Sequence, residues 1–464
     1  MEHRRRRKRR PIFTWLLVLT GLAAIVFGYL AAFRAGPPPS VTLESGMPGI
    51  GKRTPVTIAV AEPTRGLTGF RVEFVQGDRV EVLEERVYEP LEPWQFWGER
   101  VTREDLTVDV GSETIKGLRE GDASVRVVAL RASSLLRYPQ PVTQELPLPV
   151  KLRPPLLQVA STRTYVAQGG SEAVVYRVGP TSVRDGVQAG DRWFPGFPLA
   201  GGDEQDRFAL FGVPYEMGDS EQIRLMAYDD VGNQASAAFV DRFFPKPLRR
   251  GTIQLSDRFM ERVVPPILSQ TPHLERRDNV LEDFLMINSE LRGMNNRSLD
   301  EVGARSAPEF LWTREFMQMR NAQVMSDFAA RRRYMYEGRE VDVQDHLGFD
   351  LASTAMAPIQ SANDGVVVLA SYFGIYGNTV VVDHGYGLMS LYGHLSSIAV
   401  EEGQSVERGQ ELGRSGATGL AGGDHLHFSM LLQGMPVDPR EWWDSHWIND
   451  RLKLKLGAAL PFGE

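Results

Sequence analysis

Three segments near the C-terminus decide the fold: HLGFDLA at 346–352, DHGYGLMSLYGHL at 383–395 and GQSVERGQELGRSGATGLAGGDHLHF at 403–428. Short apolar stretches lie in and between them, namely GVVVLASYF at 365–373, NTVVVDHG at 378–385 and LMSLYGHL at 388–395. Glycine-rich connections separate these stretches, a pattern typical of β-strands joined by turns. Six of the eight histidines also lie between residues 346 and 446. We therefore predict a β domain over 340–445 that gathers histidine side chains.

Two spacings in these segments place candidate metal ligands on one face of a strand. His346 and Asp350 are four residues apart in an extended pattern, and strand positions i, i+2 and i+4 share a face. His425 and His427 share a face in the same way, while Leu426 and Phe428 lie on the other. Imidazole and carboxylate groups suit zinc, and three protein ligands leave a fourth position for water. Because these four groups would fill only three ligand positions, one imidazole is left for proton transfer.

A further imidazole, His394, ends an apolar strand in YGHL at 392–395. Taken in order, these motifs resemble those of the lysostaphin-type (LytM-like) zinc metallopeptidases, and the resemblance covers about residues 340–440. It implies a compact antiparallel β structure with an open groove, one Zn²⁺ per chain, and a peptide of bacterial peptidoglycan as substrate. Carried over residue by residue, it implies that His346, Asp350 and His427 bind zinc, that His425 is catalytic and that His394 assists it.

The chemistry that the resemblance implies is attack of a zinc-activated water on a peptide bond. Zinc lowers the pKa of its bound water towards about 7 and polarises the scissile carbonyl. We expect His425 to accept or orient the proton of that water. We expect His394 to stabilise the developing oxyanion or to protonate the leaving amine. His384 is interpreted as structural, and His446 is assigned no role.

The N-terminus carries a membrane signal. Residues 1–10 read MEHRRRRKRR, and the apolar residues 12–33 contain no charge. As a helix these residues would extend ~33 Å, close to the ~30 Å hydrocarbon core of a bilayer. Because the basic residues precede the apolar run, the N-terminus should stay in the cytoplasm. We predict a cytoplasmic tail over 1–11 and a signal anchor over 12–33 in the bacterial cytoplasmic (inner) membrane. The chain would be single-pass, with its C-terminal domains in the periplasm or cell-wall space. A cleaved signal peptide is the alternative.

Composition narrows the chemistry. The chain of 464 residues has no cysteine, which excludes disulfide scaffolds, thiolate metal sites and cysteine nucleophiles. Its net charge is −7 despite the basic N-terminus, so the remainder is acidic. An acidic body argues against nucleic acid as a partner.

The predicted fold class is mainly β and multidomain. Short alternating apolar segments over 41–150 and 156–245 predict two β-sandwich modules of immunoglobulin-like type. These modules would be spacers, or contacts for cell-wall or division proteins. Residues 252–335 have helical spacing of apolar residues, with helix starts at Ser256–Asp257 and Asp278–Asn279, and predict a helical connector.

Three classes of function fit this sequence. The first is a membrane-anchored zinc metalloendopeptidase that hydrolyses peptide cross-links of peptidoglycan. The second is a non-catalytic LytM-like regulator that activates another cell-wall hydrolase. The third is a structural or adhesive protein in which the β modules matter most. Because all five implied site residues are present, the sequence favours the enzyme.

Overall fold

The structure, a computed structural model, describes residues 10–95 and 97–462. Most of the predicted cytoplasmic tail over 1–11 therefore lies outside the described residues. The chain divides into two compact units, residues 1–154 with 228–233, and residues 155–227 with 234–464. Strands dominate both units, and the prediction of a mainly β chain is confirmed. The immunoglobulin-like class and the module boundaries at 41–150, 156–245, 252–335 and 340–445 stay predictions.

The first unit begins with helix α1, Arg10–Phe33. Within the described part of the chain it is the one helix long and apolar enough to cross a membrane, over Phe13–Phe33 with a mean hydropathy of 2.3. The loop that contains Ser134 and Leu136 is hydrogen-bonded to the C-terminal end of this helix. The backbone N–H of Leu136 donates to the carbonyl of Ala32 at 2.9 Å, and the Ser134 hydroxyl donates to the same oxygen at 2.9 Å. These bonds satisfy a carbonyl that a helix end leaves without an intrahelical partner.

Two antiparallel sheets make up the rest of the first unit. Alternate residues Val56, Ile58 and Val60 are buried, as expected for strands with one face towards a core. The sheet orders are β1-β2-β5 and β4-β3-β6-β7. The strands are β1 (Ser40–Ser45), β2 (Thr54–Ala61), β3 (Leu67–Gln76), β4 (Arg79–Val87), β5 (Arg103–Val110), β6 (Ser124–Arg131) and β7 (Val142–Pro147).

The second unit also begins with short strands. They form sheets of order β13-β14-β10-β8 and β12-β11-β15-β16, together with a parallel pair of β9 and β17. The strands are β8 (Leu157–Val159), β9 (Tyr165–Ala167), β10 (Ser171–Val178), β11 (Arg184–Ala189), β12 (Arg192–Pro195), β13 (Phe197–Pro198), β14 (Asp206–Gly212), β15 (Ile223–Tyr228), β16 (Gln234–Ala237) and β17 (Arg242–Phe244).

A strand and three helices follow: β18 (Arg250–Gln254), α2 (Asp257–Gln270), α3 (Val280–Met286) and α4 (Arg292–Gly303). A short π-helix at Ile287–Leu291 joins the last two. Both predicted helix starts are confirmed. The Ser256 side chain accepts from the backbone N–H of Phe259, and Asn279 accepts from that of Glu282. Such N-caps satisfy a donor that the first helical turn leaves free.

The remaining elements build the C-terminal β domain. Its strands are β19 (Gln323–Ser326), β20 (Ala330–Tyr336), β21 (Arg339–His346), β22 (Phe349–Ala352), β23 (Pro358–Gln360), β24 (Gly365–Tyr372), β25 (Asn378–Asp383), β26 (Leu388–Leu395), β27 (Ser397–Ile398), β28 (Ser405–Val406), β29 (Glu411–Arg414), β30 (Leu426–Leu432) and β31 (Met435–Val437). A 3₁₀ turn at Gly374–Tyr376 precedes β25. The elements after β31 are α5 (Pro439–Trp443), α6 (Ser445–Trp447), a short π-helix at Ile448–Lys453, α7 (Leu454–Leu456) and a 3₁₀ turn at Gly457–Ala459.

One large sheet organises this domain, in the order β19-β22-β30-β26-β25-β24-β28, with β31 paired to β30. Every residue of β26 and β30 is buried, so these are the central strands. Their apolar side chains belong to a hydrophobic cluster that also includes residues of β10 and β14, such as Tyr176 and Phe208. The central strands therefore lie in a packed core and hold the side chains at their ends in fixed positions.

Helices occur in the predicted connector over 252–335 only as far as Gly303. The prediction of a helix within 309–334 is wrong, because this stretch is irregular up to β19 and then forms strands. Trp312 and Phe316 pack against Trp442 in the core, with ring centroids 6.0 and 5.7 Å away. The four-residue spacing of Trp312 and Phe316 therefore arises from core contacts of an irregular chain, and the two side chains do not share a helix face. The following residues form β20, which pairs with β18 and β21.

Candidate metal centre

Neighbouring strands bring the predicted ligands together. In the antiparallel pairing of β22 with β30, Asp350 lies opposite His427. In the pairing of β26 with β30, Gly393 lies opposite the same histidine, which places His394 beside it. His346 is the last residue of β21, and the chain breaks at Leu347–Gly348 before β22 begins. His346 and Asp350 therefore meet from two strands, not from the single strand that their spacing predicted.

The three predicted zinc ligands converge on one point. His346 Nε2 lies 2.9 Å from Asp350 Oδ1 and 3.0 Å from His427 Nδ1. His427 Nδ1 lies 3.1 Å from the same carboxylate oxygen. All three residues are buried, and together they form a group that could hold a metal ion.

The outer hydrogen bonds of the two imidazoles fix which nitrogen faces the centre. His346 Nδ1 lies 3.0 Å from the carbonyl of Asp327, which can only accept, so this nitrogen carries the proton. Ser429 donates its hydroxyl proton to the carbonyl of Leu347 at 2.8 Å, so it must accept from His427 Nε2 at 3.0 Å. In the neutral rings, therefore, the two nitrogens that face the centre, His346 Nε2 and His427 Nδ1, are unprotonated and each carries a lone pair.

The donor set accordingly fits a zinc ion. Two imidazole lone pairs and a carboxylate oxygen face one another within about hydrogen-bond distance, and no proton of the neutral rings lies between them. Such an arrangement of buried acceptors is unfavourable unless a metal ion or an added proton lies between them. Two imidazoles and one carboxylate are a donor set of catalytic zinc sites.

An arginine holds the second oxygen of the carboxylate. Arg332, from β20, donates to Asp350 Oδ2 at 2.6 Å, and this leaves Oδ1 directed at the histidines. A charge-assisted bond of this kind fixes both the orientation and the charge of the ligand. The pairing with Asp350 was missed, because nothing in the sequence aligns β20 with β22.

His425 and His394 lie beside this centre. His425 Nδ1 lies 2.8 Å from the carbonyl of Gly423, and its Nε2 lies 3.4 Å from Asp350 Oδ1. His394 Nδ1 lies 2.8 Å from the carbonyl of Thr418, and its ring centroid is 4.8 Å from that of His425. In the neutral ring, each histidine therefore donates its Nδ1 proton to a carbonyl oxygen, and its Nε2 is unprotonated. The structure thus brings all five predicted site residues into one cluster.

Burial and neighbouring charges shift the pKa values in this cluster. Burial lowers the pKa of His427 to about 4. It also lowers the pKa of His394 well below its usual value, and the nearby His425 and His427 add to the effect. Burial would raise the pKa of Asp350, but the histidines around it hold that pKa well below its usual range. Burial would likewise lower the pKa of His425, yet its contact with Asp350 raises it overall.

Gly348 makes room for the predicted metal ligands. A Cβ atom at this position would lie 2.5 Å from the Ser429 hydroxyl and 2.7 Å from the His427 ring. Any other residue would therefore push on His427 or on the serine that fixes its tautomer. This glycine explains why the chain can leave β21 and enter β22 so close to the ligands.

The cluster lies in a cavity of about 590 Å³. Side chains from β18, β20 and α4 line it together with the histidines, and so does Tyr376, whose ring centroid is 5.3 Å from that of His427. His384 does not line this cavity. It is buried, both of its ring nitrogens are hydrogen-bonded, to the carbonyl of Asp364 and to Ser390, and burial lowers its pKa to about 4. Its interpretation as a structural residue agrees with these contacts.

Comparison with known families identifies the domain that holds this cluster. The sequence model of Peptidase family M23 matches residues 344–439. Residues 344–439 are therefore a peptidase M23 domain of LytM type, and the resemblance found from the motifs is confirmed.

Named relatives match a segment of the chain. Peptidoglycan DD-endopeptidase ShyA from Vibrio cholerae serotype O1 is 40% identical over 116 residues, which are 25% of this chain and 26% of that protein. DD-carboxypeptidase/endopeptidase Mpg from Neisseria meningitidis serogroup B is 38% identical over 94 residues, 20% of this chain and 22% of that protein. The alignments thus span about a quarter of these curated relatives. The catalytic domain of lysostaphin from Staphylococcus simulans is 25% identical, with a TM-score of 0.23, over 26% of this chain and 92% of that one.

Proposed function

We propose that this protein is a membrane-anchored zinc metalloendopeptidase that hydrolyses peptide cross-links of bacterial peptidoglycan. The observation that carries the proposal is the convergence of two imidazole lone pairs and a carboxylate oxygen, with two further imidazoles beside them, in one cavity. The names of relatives that match a segment of this chain support peptidoglycan as the substrate. A regulator that had given up catalysis would not need all five of these side chains.

The residues divide the chemistry between them. When zinc is bound by His346, Asp350 and His427, it supplies a Lewis acid and lowers the pKa of a bound water. His425 is the general base. Its Nδ1 proton is donated to the carbonyl of Gly423, so the Nε2 that faces the centre is unprotonated in the neutral ring. His394 stabilises the oxyanion or protonates the leaving amine. Because burial keeps its pKa low and the carbonyl of Thr418 accepts its Nδ1 proton, its Nε2 must first receive a proton, and His425, which has taken one from the water, supplies it. Arg332 keeps the ligand Asp350 in place.

Cell-wall digestion tests the proposed activity. The full-length chain, purified in detergent with zinc, should release soluble peptide fragments from purified peptidoglycan. A chelator should stop the release, and added zinc should restore it, because the metal supplies the Lewis acid. Liquid chromatography with mass spectrometry of the soluble fraction measures the products. If the chain releases nothing with zinc but activates a separate hydrolase, the regulator replaces the enzyme.

The proposed topology can be tested with thiols, because the chain contains no cysteine. In a bacterium that expresses the full-length chain with the substitution Val183→Cys, a membrane-impermeant maleimide should label the protein on intact spheroplasts. Val183 is 66% exposed, so the thiol is accessible wherever its domain faces the reagent. Glu2→Cys is the matched control, and it should be labelled only after lysis. Labelling of Glu2→Cys alone on intact spheroplasts would reverse the orientation.

A further inference from the structure

The cavity around the metal centre carries more positive charge than its own acids can pair. Its charged lining, apart from the histidines, consists of Arg249, Arg250, Arg292, Arg332, Asp327 and Asp350. Asp327 is paired with Arg249, and Asp350 with Arg332. Among the described residues, Arg250 and Arg292 therefore line the cavity with no carboxylate partner. An excess of guanidinium in a concave site attracts anionic ligands.

Arg292 is held close to the candidate ligands. It is half-buried, and its guanidinium donates to the neutral side chain of Asn288 at 2.6 Å and to that residue's carbonyl at 3.0 Å. Its charge opposes the rise that burial causes in the pKa of Tyr376. The ring of Tyr376 in turn contacts that of His427. Arg292 therefore stands one aromatic ring away from a predicted zinc ligand.

The helix that carries Arg292 is fixed against the site. Asn295 of α4 accepts from the backbone N–H of Ile375 at 3.1 Å, in the turn that carries Tyr376. Gly374 of this turn has φ +49°, and a Cβ there would lie 2.3 Å from the Asn295 side chain. The turn and the helix are therefore in close contact, which keeps Arg292 at the wall of the cavity. Both Arg292 and Arg250 lie outside the matched residues 344–439.

We propose that Arg292, assisted by Arg250, is a carboxylate-binding subsite that selects peptide substrates with a free carboxylate near the scissile bond. This rests on the proposed function and specifies its substrate class as an acidic peptide. A guanidinium binds a carboxylate through two parallel N–H donors, which also sets the direction in which the peptide lies. Peptidoglycan stem peptides carry such free carboxylates, and amidation removes their charge.

The test compares two substrates on the full-length chain. One is a cross-linked stem-peptide dimer with free carboxylates, and the other is the same dimer with those carboxylates amidated. For the wild type we expect kcat/KM to favour the free form by about 10- to 100-fold, mainly through KM, because charged hydrogen bonds contribute that much. Arg292→Gln should remove most of this preference by lowering kcat/KM for the free form towards the value for the amidated dimer.

Arg297→Gln is the matched control, because it removes the same charge from an exposed position on the same helix. This variant should keep the preference of the wild type. Equal cleavage of the two dimers by the wild type would overturn the subsite. So would an Arg292→Gln variant that loses activity on both dimers alike, since that outcome indicates a structural role.

Binding separates this subsite from the proposed activity. Fluorescence anisotropy with the two labelled dimers and the full-length wild type at 4 °C, with chelator present, measures affinity without turnover. Tighter binding of the free form, lost in Arg292→Gln and kept in Arg297→Gln, supports the subsite even if no cleavage is found. Absence of that preference in the wild type overturns it even if both dimers are cleaved.

Discussion

The His425→Ala variant is expected to keep its zinc and to lose about 10²- to 10⁴-fold in the rate of peptidoglycan hydrolysis. The metal should be retained because the three proposed ligands, His346, Asp350 and His427, are all left in place. The rate falls because His425 is the imidazole whose free Nε2 faces the centre at 3.4 Å from Asp350. A positioned general base contributes a factor of this size. Fragment release and zinc content, measured on the same preparation, give both quantities.

His446→Ala provides the control for this variant. His446 is exposed on α6 and does not line the cavity, so its replacement should change neither rate nor zinc content. His394→Ala should resemble His425→Ala, because it too leaves the three ligands intact. If His425→Ala hydrolyses peptidoglycan within about threefold of the wild type, the assignment of the general base is wrong.

The second large effect concerns the metal itself. His427→Ala should reduce zinc from one ion per chain to a small fraction and abolish hydrolysis, because it removes one of three protein ligands. It also leaves Ser429 without the imidazole that bonds to it. Elemental analysis after dialysis against zinc-free buffer measures the loss.

Folding must be checked in parallel, because His427 is buried in a central strand. Circular dichroism that matches the wild type, together with lost zinc, attributes the effect to the ligand. Full zinc occupancy in folded His427→Ala would contradict the ligand set. His425→Ala, which should retain zinc, is the matched comparison from the same H-x-H motif.

Much of this site was predictable from local spacing. The motif His425–His427 needs only the alternation of side chains along a strand, and His427 indeed faces Asp350 while Leu426 and Phe428 are buried in the core. The strands of the C-terminal domain followed from apolar runs between glycines. These features depend on residues within a few positions of one another, so the sequence alone predicts them.

What the sequence missed depends on contacts between distant segments. The stretch from Phe310 to Tyr334 has helix-like spacing, but Trp312 and Phe316 are drawn into a core that includes Trp442. Tertiary packing overrides local periodicity in such cases. Arg332 and Arg292 reach the cavity only because β20 and α4 pack beside it. No local pattern encodes which of 52 Lys and Arg residues will do so.

The pairing of Arg332 with Asp350 bears on how this domain can move between proteins. A gene fragment that begins at residue 344 would transfer every proposed metal ligand to a new host protein, yet it would leave behind the guanidinium that holds the outer oxygen of Asp350. The recipient would have to offer a cation at the same place, or the carboxylate would be free to turn away from the histidines. Transfer of residues 344–439 alone would therefore carry an incomplete form of the proposed metal centre, and a fragment that keeps this pairing must begin at least as early as β20.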